Sequence, residues 1–516
     1  MKSAREQALN SPLAGYPQGP VVFIRLGENG VGADQRGNAV LGALLGELGW
    51  SPNHLAGAVN GLLGPSSVAR STVSDWLNQD RLPRGPLPTV VAHLISDTLD
   101  RDVSVDELWA GRAQPAEFWV PADHGLHLPW TAAGTVEVLD DWLRHTGGSI
   151  GMDRRVLLAV SGASLTAPAW GYVDHLGIRG DSFAALANNR RSITITSPMV
   201  DAVAATTTAL RNLGNAEGGH EDNLRFVHHH LTWVSKLLRQ ARFTSGSVAN
   251  RLLAEWAQLA QLAAWLANDA SQYGLSQRYF TSGLHAAHTS GDRSVGTYLL
   301  ADMSQTRVNQ GRMNDGVDLG RAARDAIELA NAAYEAAKST PPAVRALASS
   351  GLAKAQAAVG NAHGFHAAAD EARALLDTPG ALDARPPYLT WFGPTELESQ
   401  LAQSTLTLAE VSSRDSRHLL EAADTVLSRT ATHPVSTPRN AVFHAALLSR
   451  AHVAANDLDR AVPAAQTALR HLPAVRSRRC ELVLRRLEDD LAALPPARRP
   501  AAVRSLHDQL RATHAT

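Results

Sequence analysis

Between residues 70 and 78 the chain sets Arg70, Ser71, Thr72, Ser74, Asp75 and Asn78 against Val73, Trp76 and Leu77 at helical spacing. That pattern predicts a short helix with an apolar back and a polar front. Arg81 and Arg84 follow at once. A guanidinium on such a front can take the O6 and N7 acceptors of guanine or a phosphate oxygen, and a carboxylate can accept from the amino group of cytosine.

Other chemistry-bearing residues give weaker patterns. His228, His229 and His230 are consecutive and leave a helix in three directions, unlike the same-face i, i+4 pair of a zinc enzyme. Leu224, four residues earlier, cannot ligate, and His220 lies in a glycine-rich turn, so surface histidines are expected and no metal site. Gly147-Gly148-Ser149-Ile150-Gly151 has the spacing of a nucleophile elbow, but that motif needs a preceding strand, and 138–144 has a helical pattern. A turn at a helix end is expected there. Ser161 and Ser164 stand in an apolar run, where serine serves as a small packing residue. No phosphate-binding Gly-x-x-x-x-Gly-Lys loop and no dinucleotide-binding strand-turn-helix occurs. The sequence therefore predicts no enzyme and no cofactor. Cys480 is the only cysteine, which excludes an internal disulfide and a multi-cysteine zinc site and fits a reducing compartment.

The elements that carry these residues are helical. A chain of 516 residues is too long for one core, and its formal charge of −1 gives no whole-molecule attraction to nucleic acid, so any such attraction must be local. No apolar run reaches the roughly 18 to 20 residues of a membrane span, and the N-terminus has no apolar signal core. Residues 152–167 resemble a twin-arginine export signal but lie far inside the chain, where a buried helix is expected. The expected location is the cytoplasm, without a membrane partner.

Four regions are expected: a flexible arm at 1–35, a five-helix domain at 36–112, a linker and helical middle region at 113–222, and helical hairpins at 223–516. In the second region Leu41, Leu44, Leu45 and Leu48 form an apolar stripe ending at Gly49, and Ser51-Pro52 opens a second helix followed by a loop from Asn60 to Val68. In the middle region Gly147-Gly148 and the β-prone run Ile193-Thr194-Ile195-Thr196 interrupt the helical pattern. In the last region helices at 252–267 and 275–288, 295–309 and 315–329, 343–359 and 366–376, 396–411 and 416–428, and 439–455 and 458–472 are read from periodicity, with a final pair ending near Ala512. Ser276 and Gly316 occupy comparable small-residue positions about 40 residues apart, near a tetratricopeptide period. Trp256, Trp265, Tyr273, Tyr279 and Phe280 fall at helical spacing, which does not separate core from groove. The fold class is all-α: a helix-turn-helix domain followed by a tetratricopeptide-like α-solenoid.

The run from Ser71 to Leu77, the Arg81-Leu82-Pro83-Arg84-Gly85 tail and the closing Val105-Asp106-Glu107-Leu108 resemble the XRE (lambda-repressor-like) helix-turn-helix family. That resemblance implies a third helix in the major groove of double-stranded DNA, with Arg70, Ser71 and Asp75 toward base edges and Thr72, Asn78, Arg81 and Arg84 against phosphates; Ser74 shares the same front. The chain departs from the family in a longer loop after the second helix and in an acidic balance. Between 36 and 112 six arginines face eight carboxylates, so a monomer is expected to bind weakly and a homodimer to compensate.

With the 153–158 element and the segment from Leu252 to Asp292, the chain also resembles large actinobacterial regulators with tetratricopeptide-like C-terminal halves. Relatives of that build imply transcription regulation of secondary metabolism or sporulation. A peptide, small molecule or protein in the repeat groove is the implied further partner. The rival expectation is a cytoplasmic adaptor that acts through protein contacts without touching DNA.

Overall fold

The computed structural model describes residues 37–63, 68–79, 81–84, 87–99, 101, 103–112, 128–146, 159–178, 183–186, 193–313, 317–412, 417–431 and 437–514. The expected arm at 1–35, most of the linker, Gly147-Gly148, residues 152–158, Gly85 and Gly316 lie outside them. The described chain is almost entirely helical, and among the described residues no helix is long and apolar enough to cross a membrane.

The first five helices are α1 (Ala39–Glu47), α2 (Pro52–Leu63), α3 (Arg70–Asn78), α4 (Leu87–Leu99) and α5 (Val105–Trp109). Their limits follow local chemistry. Asn38 caps α1 by accepting from Leu41 N, Gly49 stops it at φ +64°, and Ser104 caps α5 by accepting from Glu107 N. The helix expected to end before Asn60 runs on to Leu63. Asn60 is a helix breaker in most contexts, but here its side chain accepts from Val68 N at 2.7 Å and donates to Val68 O at 2.8 Å. The helix therefore closes the following loop from within instead of ending at it.

A middle group follows: α6 (Ala132–Thr146), α7 (Ala163–Asp174), α8 (Phe183–Leu186) and β1 (Ile193–Ile195). Next come α9 (Ser197–Glu217), α10 (Glu221–Gln240), β2 (Ala241–Phe243), α11 (Gly246–Asp269) and α12 (Tyr273–Ser290). β1 and β2 pair in parallel, Ile193 opposite Ala241. The β-prone run is a strand, and its partner had no comparable signal. The chain continues through α13 (Arg293–Arg312), α14 (Leu319–Ala337), α15 (Pro342–Ala358), α16 (Ala362–Leu376), α17 (Pro394–Val411), α18 (Arg417–Ala431), α19 (Pro438–Ala454), α20 (Leu458–His471), α21 (Arg478–Ala493) and α22 (Ala501–His514).

From α11 onward each odd-numbered helix packs on the even-numbered helix after it and on the next odd-numbered one. Small residues let the paired backbones approach. At three such crossings a serine hydroxyl donates to a carbonyl of the facing helix: Ser276 to Ala264, Ser304 to Ala326 and Ser449 to Ala461, at 2.7 to 2.9 Å. Ala461, Ala465 and Ala468 have no exposed surface, as their spacing predicted. The expected middle/array boundary at 222 falls in the first turn of α10, whereas α9 already packs on α10 and α11.

The middle helices lie on the array. α6 packs on α10 and α12, and α7 on α12 and α14. Gln277 clamps Val160 through both its amide atoms, Asp325 accepts from Gly162 N at 3.0 Å, and Arg239 holds Asp140 through two contacts.

The two ends of the array also meet. α9 packs on α19, Glu217 O accepts from Arg476 N at 3.2 Å, and Arg479 of α21 lies 3.1 Å from Asp269 of α11. Glycine is required at this join. Gly218 has φ +94°, and a Cβ on Gly219 would fall 2.5 Å from Leu266 O.

Candidate nucleic-acid interface

The polar front of α3 rests on a back that is fully fixed. Val73 and Trp76 are buried with Leu41, Leu45, Val59, Ile95 and Trp109, and Leu77 is half-buried. Trp76 meets Trp109 edge to face at 6.0 Å, and the Trp109 indole donates to Pro88 O. The end of α3 is tied to the start of α1, because Asn38 N donates to Leu77 O at 3.0 Å while the Asn38 amide donates to Leu108 O. The approach is so close that a Cβ on Gly37 would lie 2.3 Å from Leu77 O. These contacts set the rotation of α3, and with it what the helix presents.

Of the expected front, Arg70, Ser71 and Asn78 are exposed, and Thr72, Ser74 and Asp75 are half-buried. Arg81 and Arg84 are exposed just beyond the helix, on either side of buried Pro83. All eight side chains therefore reach solvent. They are not equivalent, since Arg81 donates to the Asp75 carboxylate at 2.9 Å, whereas Arg70 and Arg84 have no acceptor among the described residues. The structure brings Asp75 to Arg81, which the spacing did not anticipate. Ala69 at the head of α3 supplies no side-chain cap; Thr72 N and Val73 N donate to Ala69 O, while Arg70 N and Ser71 N have no acceptor among the described residues.

Charge within this domain is divided along the chain. Residues 70–84 carry Arg70, Arg81 and Arg84 against Asp75 and Asp80, while 97–107 carry Asp97, Asp100, Asp102, Asp106 and Glu107 against Arg101. Part of the second group is internally compensated, because Arg101 lies 3.4 Å from Glu107 and Glu107 N donates to the Ser104 hydroxyl.

The other candidates separate by burial. Only His229 of the expected surface histidines is exposed. His228 is buried and bonded to the Tyr279 hydroxyl at 2.6 Å, and His230 is half-buried against Trp233. Successive steps of about 100° around α10 drove one ring inward and one outward. Burial holds His228 well below its usual range, at about 4. Cys480 is buried with its thiol pushed up to about 11, an unreactive state. Trp256, Tyr279 and Phe280 are core residues. Among the described residues no group of three or more His, Cys, Asp or Glu could hold a metal ion.

The fold and this site define an almost wholly helical protein in which a small domain presents one arginine-bearing helix, joined to a long array of helical hairpins. A family model described as the SP15 N-terminal domain matches residues 41–109, from the first buried leucine of α1 to the end of α5. No curated protein matches the chain, and no solved structure does.

Proposed function

We propose that this chain is a cytoplasmic DNA-binding transcriptional regulator, with a helix-turn-helix domain of the XRE type in α1–α5 and a tetratricopeptide-like array that serves self-association and reception of a ligand or partner. The observation that carries the reading is the front of α3, a helix locked by Val73 and Trp76, where Arg70 at its head and Arg84 just beyond its end stand exposed and without an acceptor among the described residues. In the major groove Arg70 and Ser71 would meet base edges, while Thr72, Asn78, Arg81 and Arg84 would meet phosphates. The open N–H groups at the head of α3 suit an anionic oxygen as well. Three arginines give limited phosphate neutralisation, so a homodimer on an inverted repeat supplies the rest. The resemblance to large actinobacterial regulators supports control of secondary metabolism or sporulation as its role.

Genome-wide occupancy of the tagged protein, beside an Arg70→Glu, Arg84→Glu variant, tests this. Sharp peaks sharing an inverted repeat and lost in the variant are expected. Absent peaks, or peaks indifferent to the substitutions, favour the adaptor, whose support is the acidic stretch from Asp97 to Glu107.

A further inference from the structure

Along the array and where its two ends meet, helices distant in sequence bury ionic side chains together. Most of these ions are paired. Arg479 lies 3.1 Å from Asp269, whose other oxygen accepts from Gly219 N at 2.8 Å, and Arg312 holds Glu410 through two bonds of 3.0 and 2.6 Å. Asp302 accepts from Gln261 at 2.5 Å, and Gln261 in turn accepts from Arg211 at 2.7 Å.

Two cations have no carboxylate within ion-pair distance among the described residues. Arg439 is 6% exposed, and its guanidinium lies 3.9 Å over the Trp265 ring. Its one hydrogen bond is a long contact of 3.3 Å from Nη2 to the neighbouring Asn440, while Nε and Nη1 have no acceptor among the described residues. Lys354 is 5% exposed, and its ammonium makes no hydrogen bond among them. Asp269, Arg479 and Glu396 are near enough for their charges to act on Arg439, and Arg312, Arg479, Asp302 and Glu396 act on Lys354.

Burying a cation without its counter-ion is costly, and packing alone gives no reason to place a guanidinium at this join. A planar guanidinium stacked on an indole keeps its edges free and presents them at fixed angles, the arrangement that matches two oxygens of a carboxylate or phosphate. Nε and Nη1 flank Nη2, so an oxyanion at either edge completes a two-point contact. Glu396 does not fill the role: its carboxylate accepts from Gln400 at 3.2 Å and makes no ion pair with Arg439 among the described residues. Trp265 is also only partly buried, so the cluster is not sealed.

We propose that Arg439, laid on Trp265 with Arg479 beside it, is the seat of a small oxyanion ligand, a carboxylate or a phosphate, bound where α11, α19 and α21 converge. A ligand there bridges the two ends of the array and stabilises their contact. The proposal names the ligand class for the array's role as a receiver. Binding is measured on the protein alone and DNA occupancy separately, so either can fail without the other.

The test is thermal unfolding and titration calorimetry of the full-length protein with sodium phosphate and, separately, citrate, each at ionic strength matched with chloride. A saturable rise in Tm with at least one of the two is expected, absent in Arg439→Gln and weakened in Trp265→Leu. Saturation by phosphate alone assigns a phosphate-bearing ligand, and by citrate alone a carboxylate. No saturable rise with either anion, or an equal rise in Arg439→Gln, overturns the proposal. If Arg439→Gln does not fold, as judged by circular dichroism, phenylglyoxal labelling of the wild-type protein decides, read at Arg439 by mass spectrometry. Labelling slowed by the anion supports the site, and labelling indifferent to both anions overturns it.

Discussion

Arginine carries both the α3 front and the join between the ends of the array, yet the same unpaired guanidinium means different things in the two places. Arg70 and Arg84 are solvated, so their lack of a partner costs nothing and is informative only because both flank one fixed helix. Arg439 is buried, so the lack of an acceptor for its Nε and Nη1 among the described residues is itself the anomaly. Exposed function is recorded in local spacing, whereas a buried constellation is recorded only in how distant helices converge.

The contrast is broken most forcefully at a buried pair. Arg307 and Asp325 are about 5% exposed, and the guanidinium donates twice to one carboxylate oxygen, at 2.9 and 2.6 Å. Arg307→Met leaves that carboxylate with only Gly162 N, and a loss of about 3 to 5 kcal/mol is expected in urea unfolding. Arg84→Glu, at an exposed site, should stay within about 0.5 kcal/mol of the parent. Similar losses for the two variants would show that burial does not separate these arginines.

Protonation sharpens the comparison at intermediate size. His285 has no exposed surface, neither ring nitrogen has a partner among the described residues, and the ring stacks on Trp130 at 4.1 Å with the rings of His288 and His175 nearby. Burial first, and His288 second, hold it down at about 3. Its folded pKa therefore lies below the unfolded value of about 6.5, so its contribution is complete above that value and is lost as pH falls toward 3. Asp302 has the opposite sign: burial raises its carboxyl to about 7, so stability is lost as pH rises through that value. His285→Phe keeps an aromatic stack on Trp130 and removes one titrating group, and the fall of Tm between pH 6 and 4 should become shallower. Asp302→Asn should instead flatten the fall between pH 4 and 7. An unchanged acid profile in His285→Phe would show that the ring is hydrated at the α6–α12 contact.

These differences explain what the sequence disclosed. The hairpin from α19 to α20 was located to within a residue because its apolar period is regular and alanine marks the crossing, and Thr437 and Asp457 cap the two helices at those limits. The front of α3 was legible because all its members lie within fifteen residues. The extension of α2 was hidden, since Asn60 acts through a bond to Val68 that local preference does not encode. The pairing of β1 with β2 was hidden by the separation of its partners, which stand 48 positions apart in the chain. The join at Arg439 had no local signature at all, because its neighbours come from separate helices with one or two members each. One signal was available: Lys354 is one of only four lysines and stands among Ala353 and Ala355 on an apolar helix, where a solvated lysine has no place.

The smallest expected effect concerns Asp75, where the two kinds of site come closest. The resemblance assigns its carboxylate to a base edge, but the structure places it on Arg81 at 2.9 Å, with the arginine side chain 67% exposed. An exposed pair of this kind is worth about 0 to 1 kcal/mol, so Asp75→Asn should leave folding nearly unchanged. Its effect on DNA separates the two roles. If Asp75 only holds Arg81, the asparagine variant loses a negative charge beside the phosphates, and binding should tighten equally on all operator variants. If Asp75 reads cytosine, discrimination at one base pair should fall by about 1 to 3 kcal/mol while the other positions are unaffected. Titration of the two proteins against a single-substitution operator series distinguishes these outcomes. The geometry favours the first, because a carboxylate already committed to a guanidinium must give up that bond before it can accept from a base.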